Sequence, residues 1–529
     1  MNNNPIIFSD FPDPDVIRVK DTYYMISTTM HFIPGGVILR SFDLIHWEIL
    51  THVFEELDNT PGQKLEDNSS IYGKGMWAAS LRYHKGTFYI CFVANDTRKT
   101  YLYQAEDITG PWRKQNISGF YHDCSLLFDE DDRVYIVYGN KEIYLTELNE
   151  DLTGPKMNGL HRMVVRDSED IRLGYEGSHM YKINGKYYLF FIHWLSNGTG
   201  RRVEACFVSD SLEGEFTGRD ILDDDMGYHN AGVAQGGVVD TPDGDWYALL
   251  FQDHGAIGRI PVLVPMHWEK DFPVFGVDGK IPSQIEVKST RAAHAYTPLT
   301  ESDDFYYKPG DKGKVSLKKS WEWNHTPNHD LWSVTERPGA LRLRTGKISP
   351  NVGLAVNTLT QRMTGPACEM SVTVDGSGLK NGDFAGICAL QGCYGLIGLT
   401  KEDDKYYLVM IAKKMNPEES IWGEEGGDKK PGREFERIPF LHNKVALKVQ
   451  ADFQDGADTA EFYYQDKGQW NSLGIKHRLY FRLDHFTGCR VGLFLYATKE
   501  TGGTADFEEF VYRIKPYSIL VKTNTDRLY

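Results

Sequence analysis

Asp13, Asp123 and Glu176 are the residues of this chain whose types and spacing best suit acid–base chemistry. A hairpin recurs five times in the first 300 residues, each time with an aromatic or β-branched pair after a polar turn: DTYYMIST at 21, GTFYICFV at 86, DRVYIVYG at 132, GKYYLFFI at 185 and GDWYALLF at 244. Counting 12 residues back from the second residue of the pair reaches Trp77, Asp123, Glu176 and Gln235, and 11 residues back in the first copy reaches Asp13. Three carboxylates therefore share one place in the repeat with a tryptophan and a glutamine.

Carboxylates that share a cavity cannot all ionise freely, because repulsion and desolvation raise at least one pKa. Cleavage of a glycosidic bond needs one protonated carboxyl for the leaving oxygen and one ionised partner. A separation of about 6.5–9.5 Å between the two predicts inversion of the anomeric carbon, and about 5–5.5 Å predicts a covalent intermediate. The sequence indicates the pair but does not give the distance.

The repeat also predicts the elements that position these residues. The hairpins begin 65, 46, 53 and 59 residues apart, the period of a four-stranded blade with variable loops. Five copies predict an all-β protein whose first part is a five-bladed β-propeller. Because the first strand of each blade lines the central axis, we expect the five matching positions to converge on one cavity.

A second domain follows the propeller. We predict the propeller over residues 1–296, a connector over 297–314 and a β-sandwich accessory domain over 315–529. The connector is rich in charged and turn residues, and short alternating segments such as ACEMSVTV, YYLVMIA and VGLFLYA resume after it.

Composition excludes several classes of partner. The chain has 58 basic and 74 acidic residues in 529, and a net charge of −16 argues against nucleic acid or an anionic membrane. No apolar run approaches the roughly 18 residues of a membrane span. No P-loop or GxGxxG motif indicates an organic cofactor. Seven cysteines without a CxxC pair and an N-terminus without a signal sequence predict a cytoplasmic protein, or a secreted one if a signal had been removed.

The motifs around the acids resemble those of glycoside hydrolase family 43. They are Pro12-Asp13-Pro14, Asp123-Cys124-Ser125-Leu126 and Glu176-Gly177-Ser178-His179. The segment over 27–50 is similar to the first blade of the family's β-xylosidase and α-L-arabinofuranosidase branch, and the likeness covers about residues 5–290. The segment over 321–346 is similar to the concanavalin-A-like sandwich of the same branch.

This resemblance implies a five-bladed propeller and an inverting, single-displacement mechanism. It makes Asp13 the general base that activates water and Glu176 the general acid. Asp123 is then the residue that raises the pKa of the acid and orients it. Trp77, expected as an aromatic wall of the sugar pocket, and Gln235 are predicted substrate contacts.

The resemblance extends to residues outside the ring. His31 and Phe32 resemble rim residues that stack on the substrate, and Arg259 matches an arginine directed at the substrate and the catalytic acids. Phe486, in a sandwich loop reading HFTGCRVGL, is expected either to reach over the mouth of the site or to pack on its own sheet. His254 resembles an axial histidine that coordinates calcium, and a satisfied polar core group is an equal alternative for it.

The prediction for function is an exo-acting xylan 1,4-β-xylosidase that releases terminal β-D-xylose from short xylo-oligosaccharides, with α-L-arabinofuranose and arabino-oligosaccharides as further candidates. Two alternatives stay open: a non-catalytic glycan-binding propeller and lectin protein, and an endo-arabinanase with an open cleft. Self-association into a homo-oligomer is an expectation from the branch.

Overall fold

The structure, a computed structural model, describes residues 3–168, 171–195, 198–310, 315–423 and 428–516. Regular structure in these ranges is almost all antiparallel β-strand, joined by short 3-10 turns at Glu66–Asn68, Gly255–Ile257, His329–Leu331, Val352–Leu354 and Gln454–Gly456. None of the helical turns described is long and apolar enough to cross a membrane. The predicted all-β class is confirmed.

Five four-stranded sheets form the predicted propeller, and each blade is one continuous stretch of chain. Blade one has β1 (Asp15–Val19), β2 (Thr22–Ser27), β4 (Gly35–Ser41) and β5 (Glu48–Phe54), and the short β3 (Phe32–Ile33) leaves it for another sheet. Blade two has β6 (Ser80–His84), β7 (Thr87–Ala94), β8 (Lys99–Ala105) and β9 (Arg113–Ile117). Blade three has β10 (Ser125–Phe128), β11 (Val134–Asn140), β12 (Glu142–Glu147) and β13 (His161–Arg166).

The last two blades continue the same order. Blade four has β14 (Glu176–Ile183), β15 (Lys186–Trp194), β16 (Arg202–Ser209) and β17 (Thr217–Leu222). Blade five has β18 (Ala234–Asp240), β19 (Trp246–Asp253), β20 (Arg259–Glu269) and β21 (Phe272–Phe275). The N-terminal segment closes the ring against blade five, because Asn4 exchanges hydrogen bonds with the backbone of Leu263 at 2.8 and 3.1 Å.

Two large antiparallel sheets form the sandwich. One joins β3 to β22 (Glu322–Asn324), β25 (Leu359–Arg362), β35 (Arg490–Ala497), β27 (Asp383–Leu390), β28 (Gly395–Glu402), β29 (Lys405–Ala412) and β30 (Arg433–Phe440). The other contains β23 (Trp332–Ser333), β24 (Leu341–Arg344), β36 (Thr504–Lys515), β26 (Ala367–Asp375), β31 (Lys444–Asp452), β32 (Thr459–Asp466), β33 (Gln469–Ser472) and β34 (His477–Arg478). Alternating apolar residues of both sheets fill the core between them.

The part of the predicted connector that the structure describes holds one isolated bridge, between Asp303 and Phe510. Its last four residues, 311–314, lie outside the described residues, as do 517–529 of the predicted sandwich. The boundaries at 296 and 315 stay predictions.

The two domains share a sheet and a buried ion cluster. Strand β3 of the propeller segment pairs with β22 of the sandwich, with Ile33 opposite Trp323. Beside this seam the buried Glu322 carboxylate contacts the guanidinium groups of Arg362 at 2.8 Å and Arg490 at 2.5 Å. Arg362 also donates to the backbone carbonyl of Asp10 at 2.8 Å. Because these groups have almost no contact with water, the cluster fixes how the sandwich sits on the propeller.

Candidate active site

The first strands of three blades begin with the same backbone turn. Asp13, Asp123 and Gln235 each lie four residues before the strand position that pairs with the hairpin tyrosine. All three have a left-handed backbone, with φ of 51°, 48° and 61°. Such a conformation costs of the order of 1 kcal/mol in a non-glycine residue and is best tolerated by Asp and Asn. The turn breaks the strand alternation and so changes where each side chain points.

Glu176 and Trp77 differ from these three in register. Each lies five residues before the position that pairs with its hairpin tyrosine, so the expectation of one equivalent position for all five is wrong for these two. Blades two and four have one more residue before the paired position, but their hairpins are one residue shorter than those of blades three and five. The spacing along the sequence is therefore the same in all four blades. In blade four Gly177 takes the left-handed turn, with φ of 63°. A Cβ there would lie 2.5 Å from Cδ of Gln235, so glycine after the acid avoids a clash with that side chain.

Asp13 forms a buried ion pair with Arg259. The Nη1 of Arg259 donates to Oδ1 of Asp13 at 2.7 Å, and both side chains are less than a tenth exposed. Burial raises the pKa of Asp13, and the adjacent guanidinium opposes that rise. The charge of Asp123 raises it further, because like charges repel.

Asp123 and Glu176 meet beside the ring of His122. Their carboxylates and the ring of His122 each offer an atom within 4.8 Å of the other two. The backbone N–H of Gly177 donates to Oδ2 of Asp123 at 3.1 Å, which ties Asp123 to the residue that follows Glu176. Burial is the main cause that raises the pKa of Asp123; His122 opposes the rise and Glu176 adds to it. The side-chain amide of Asn140, at the end of β11, donates to Oε2 of Glu176.

His122, Asn140 and Arg202 contribute to the site and were not predicted from the sequence. Burial disfavours the charged imidazole of His122, but the carboxylates of Asp123 and Glu176 outweigh it and raise its pKa to about 9. Burial and the neighbouring Arg259 lower the pKa of Arg202 to about 10. His122 directly precedes Asp123, and neighbours in a strand usually point to opposite faces. Because Asp123 has a left-handed backbone, this alternation does not hold for His122 and Asp123. The sequence pattern gives no signal for the left-handed turn.

One wall of the cavity is aromatic and comes from both domains. The ring of Trp77 lies 5.7 Å from that of His122 and 5.6 Å from that of Phe486, between ring centroids. The ring of Phe486 lies 4.3 Å from the guanidinium carbon of Arg259, and its carbonyl accepts from Nη2 at 3.4 Å. The structure therefore places Phe486, a sandwich residue, against propeller residues of the site. Contact of Trp77 and Phe486 with a sugar stays a prediction.

A buried carboxylate holds this sandwich loop in place. Oδ1 of Asp10 accepts from the backbone N–H of Arg259 at 2.8 Å, and Oδ2 accepts from that of Gly488 at 2.8 Å. One side chain thus connects the strand that carries Arg259 with the loop that carries Phe486.

His31 and Phe32 lie deeper than predicted for residues that line a rim, and Gln235, predicted as a substrate contact in the ring, is also buried. Phe32 is 2% exposed and lies 3.6 Å beneath the guanidinium of Arg490, in the seam between the domains, so its expected rim position is wrong. His31 is 1% exposed and packs against Phe32 at 4.3 Å between ring centroids. Gln235 is buried beside Gly177, and its backbone N–H donates to the Glu204 carboxylate at 2.7 Å.

His254 is predicted as a calcium ligand, and its surroundings suit a cation poorly. Calcium takes six to eight oxygen ligands. The Nε2 of His254 lies 2.7 Å from Oε1 of Gln252, and its ring stacks on Tyr228 at 3.8 Å between ring centroids. Burial lowers the pKa of His254 to about 3. Among the described residues, His254 belongs to no group of three or more His, Cys, Asp or Glu side chains that could share an ion. The described residues around His254 therefore do not form a calcium cage.

Known families and proteins match both parts of the chain. The model of glycosyl hydrolases family 43 matches residues 2–273, and that of the beta-xylosidase C-terminal concanavalin A-like domain matches residues 313–513. A beta-xylosidase of Formosa agariphila is 28% identical over 96% of this chain and 90% of its own. A non-reducing end alpha-L-arabinofuranosidase of Bacteroides ovatus, BoGH43B, is 27% identical over 68% of this chain and 66% of its own.

Solved structures extend the likeness to three dimensions. A bifunctional GH43-CE protein of Bacteroides eggerthii superposes with a TM-score of 0.87 at 41% identity over 97% of this chain. The match spans 64% of the length of that protein. The predicted concanavalin-A-like class of the second domain is confirmed. Because the family model matches more than half of the sequence and the fold agrees, the chain belongs to glycosyl hydrolases family 43.

Proposed function

We propose that this glycoside hydrolase is an exo-acting, inverting enzyme that releases terminal β-D-xylose from short xylo-oligosaccharides. The observation that carries the proposal is the meeting of Asp123 and Glu176 beside His122, which contacting rings of Trp77 and Phe486 link to the Asp13–Arg259 ion pair. One buried base and a separate acid with a neighbouring carboxylate are the groups that single displacement needs.

In this mechanism Asp13 removes a proton from a water molecule as that water attacks the anomeric carbon. Glu176 gives its proton to the glycosidic oxygen of the leaving sugar. Arg259 holds the buried Asp13 in its carboxylate form and in place, through the contact at 2.7 Å. Asp123, with a carboxylate oxygen within 4.8 Å of one of Glu176, orients the acid. Each group thus has one role in a single step.

The relatives and the aromatic rings of Trp77 and Phe486 support the proposed substrate class. A relative named beta-xylosidase matches nearly the whole chain, and one named alpha-L-arabinofuranosidase matches two thirds of it. Trp77 and Phe486 offer flat faces of the kind that stack on sugars. Xylose and arabinofuranose differ in ring size and hydroxyl placement, so a few hydrogen bonds decide between them. Arabinofuranose is the second candidate for the released sugar.

An assay with four substrates tests the proposal. Xylobiose, a nitrophenyl β-xyloside, a nitrophenyl α-L-arabinofuranoside and linear arabinan are incubated with the protein and with Asp13→Asn and Glu176→Gln variants. We expect turnover of the first two substrates, and losses of about 10²–10⁴-fold on xylobiose in each variant. Internal cleavage of arabinan would support an endo-arabinanase instead. Binding without turnover of any substrate would support a glycan-binding protein.

Calcium remains a prediction with its own test. Activity is measured after exhaustive chelation and again after calcium is restored. A loss that calcium reverses is the outcome expected if the resemblance at His254 holds. Full activity after chelation would remove calcium from the mechanism.

A further inference from the structure

His122 contacts two of the three carboxylates of the site through opposite edges of its ring. Its Nδ1 lies 3.7 Å from Oδ1 of Asp123, and its Nε2 lies 3.7 Å from Oε2 of Glu176. Both distances exceed those of ordinary hydrogen bonds, so the contacts act chiefly through charge. The side chain is 24% exposed, which leaves these contacts only partly screened by water.

The other groups around the ring leave the two carboxylates as its main electrostatic partners. Trp77, which packs on the ring, carries no charge, and the thiol of Cys124 is a further titratable neighbour. Two guanidinium groups compete for the same carboxylates: that of Arg259 acts on Asp123 and that of Arg202 on Glu176. His122 is nonetheless the largest opposing charge at Asp123.

The number of protons on His122, Asp123 and Glu176 determines whether the cluster can donate one to the substrate. An imidazole is intrinsically more basic than a carboxyl, so a single proton in this cluster resides on His122. Glu176 then has none to give to a leaving oxygen. The cluster needs two protons, one on His122 and one on Glu176, and such coupled groups titrate as a unit.

We propose that His122 is a positioning residue that stays positively charged in the working enzyme and stabilises the carboxylate formed on Glu176 as the leaving oxygen is protonated. The inference rests on the proposed function. The proton moves from Glu176 to the glycosidic oxygen, while His122 keeps its own. The positive ring therefore favours transfer of the proton from Glu176 to the glycosidic oxygen. It also makes the cluster lose its second proton at a lower pH.

Replacement of His122 by neutral residues tests the charge. In His122→Phe and His122→Asn we expect the alkaline limb of the kcat/KM profile to move up by about 1 to 2 pH units. Turnover of xylobiose falls more than turnover of a nitrophenyl xyloside, because a nitrophenolate leaves without a proton. The control is His46→Asn, which removes a histidine paired with Asp43 at 2.8 Å on the surface of blade one and should leave the limb unchanged. A limb that stays in place in both His122 variants overturns the proposal.

A spectroscopic titration tests the same charge without turnover. The protein is labelled at its histidines, and the His122 signal is assigned by its absence in His122→Asn. We expect the ring to titrate well above the ordinary imidazole value of about 6.5. A midpoint at or below that value overturns the inference even if xylobiose is hydrolysed. Absence of hydrolysis with a high midpoint instead refutes the proposed function and leaves the charge of His122 established.

Discussion

Replacement of Arg259 by glutamine tests whether the buried ion pair keeps the base ready. The Nη1 of Arg259 lies 2.7 Å from Oδ1 of Asp13, and the side chains are 3% and 7% exposed, so water screens the pair little. Two unit charges about 4 Å apart at an effective dielectric constant of about 20 interact by about 4 kcal/mol. Loss of the guanidinium removes this attraction, so the pKa of Asp13 rises further.

The sign follows from the role of the base. Burial already raises the pKa of Asp13, and Arg259 is the main cause that lowers it. Because the carboxylate form attacks the proton of water, activity appears only as pH rises through that pKa. In Arg259→Gln the acid limb of kcat/KM therefore moves to higher pH by about 1 to 3 units. Arg259→Lys keeps the charge and should keep the limb near its original place.

The assay is a pH profile of kcat/KM on a nitrophenyl xyloside. A lost substrate contact lowers activity by the same factor at every pH, whereas a lost counter-charge moves the limb. Arg18→Gln removes the partner of Asp240 on the propeller surface and serves as the matched control. An acid limb that coincides in Arg259→Gln and the unaltered protein would refute the reasoning.

Three further predictions concern the acid, the sandwich loop and the seam between the domains. Glu176→Gln should lose about 10²–10⁴-fold on xylobiose but much less on a nitrophenyl xyloside, and equal losses on both would contradict its role as acid. Phe486→Ala removes a ring 4.3 Å from the Arg259 guanidinium. We expect kcat/KM to fall more on xylobiose than on a nitrophenyl xyloside. An unchanged ratio of the two kcat/KM values would place Phe486 outside the leaving-group site. Burial raises the pKa of Glu322, but the charges of Arg362 and Arg490 outweigh burial and hold this pKa well below its usual value. The ion pairs therefore stabilise the fold above the usual pKa of glutamate, and this stabilisation is lost as pH falls. Glu322→Gln should lower the free energy of unfolding at neutral pH by about 3–5 kcal/mol, measured by denaturant titration. The control Glu336→Gln, at an exposed ion pair, should lower it by at most about 1 kcal/mol. Equal effects of the two substitutions would contradict the role of the buried ion cluster.

The repeat in the sequence was sufficient to predict the five blades, because each hairpin carries its own turn and its own aromatic pair. It did not predict the register at Glu176, where a shorter hairpin hides an extra residue before the paired position. It also did not predict His122, which precedes the left-handed Asp123 and lies beside the carboxylates of Asp123 and Glu176. Local patterns report strand and turn, whereas backbone turns at strand ends depend on contacts between blades.

Residues at the domain seam were the hardest to place. Phe32 follows the first hairpin in a loop with glycine and proline, which is typical of a rim, yet Asn324 of the sandwich pairs with it in a shared sheet. Phe486 was expected either over the site or on its own sheet, and its carbonyl accepts from Arg259. Such contacts join residues hundreds of positions apart, and a single sequence carries no periodic signal for them.

The configuration of the sugar at the moment of release tests the central claim most directly. Proton NMR spectra are recorded within the first minutes after the protein meets xylobiose or a nitrophenyl β-xyloside, before the anomers equilibrate. The account predicts that α-xylose appears first and β-xylose later, as water displaces the leaving group in one step. First appearance of β-xylose would show retention and contradict the assignment of Asp13 as a base acting on water.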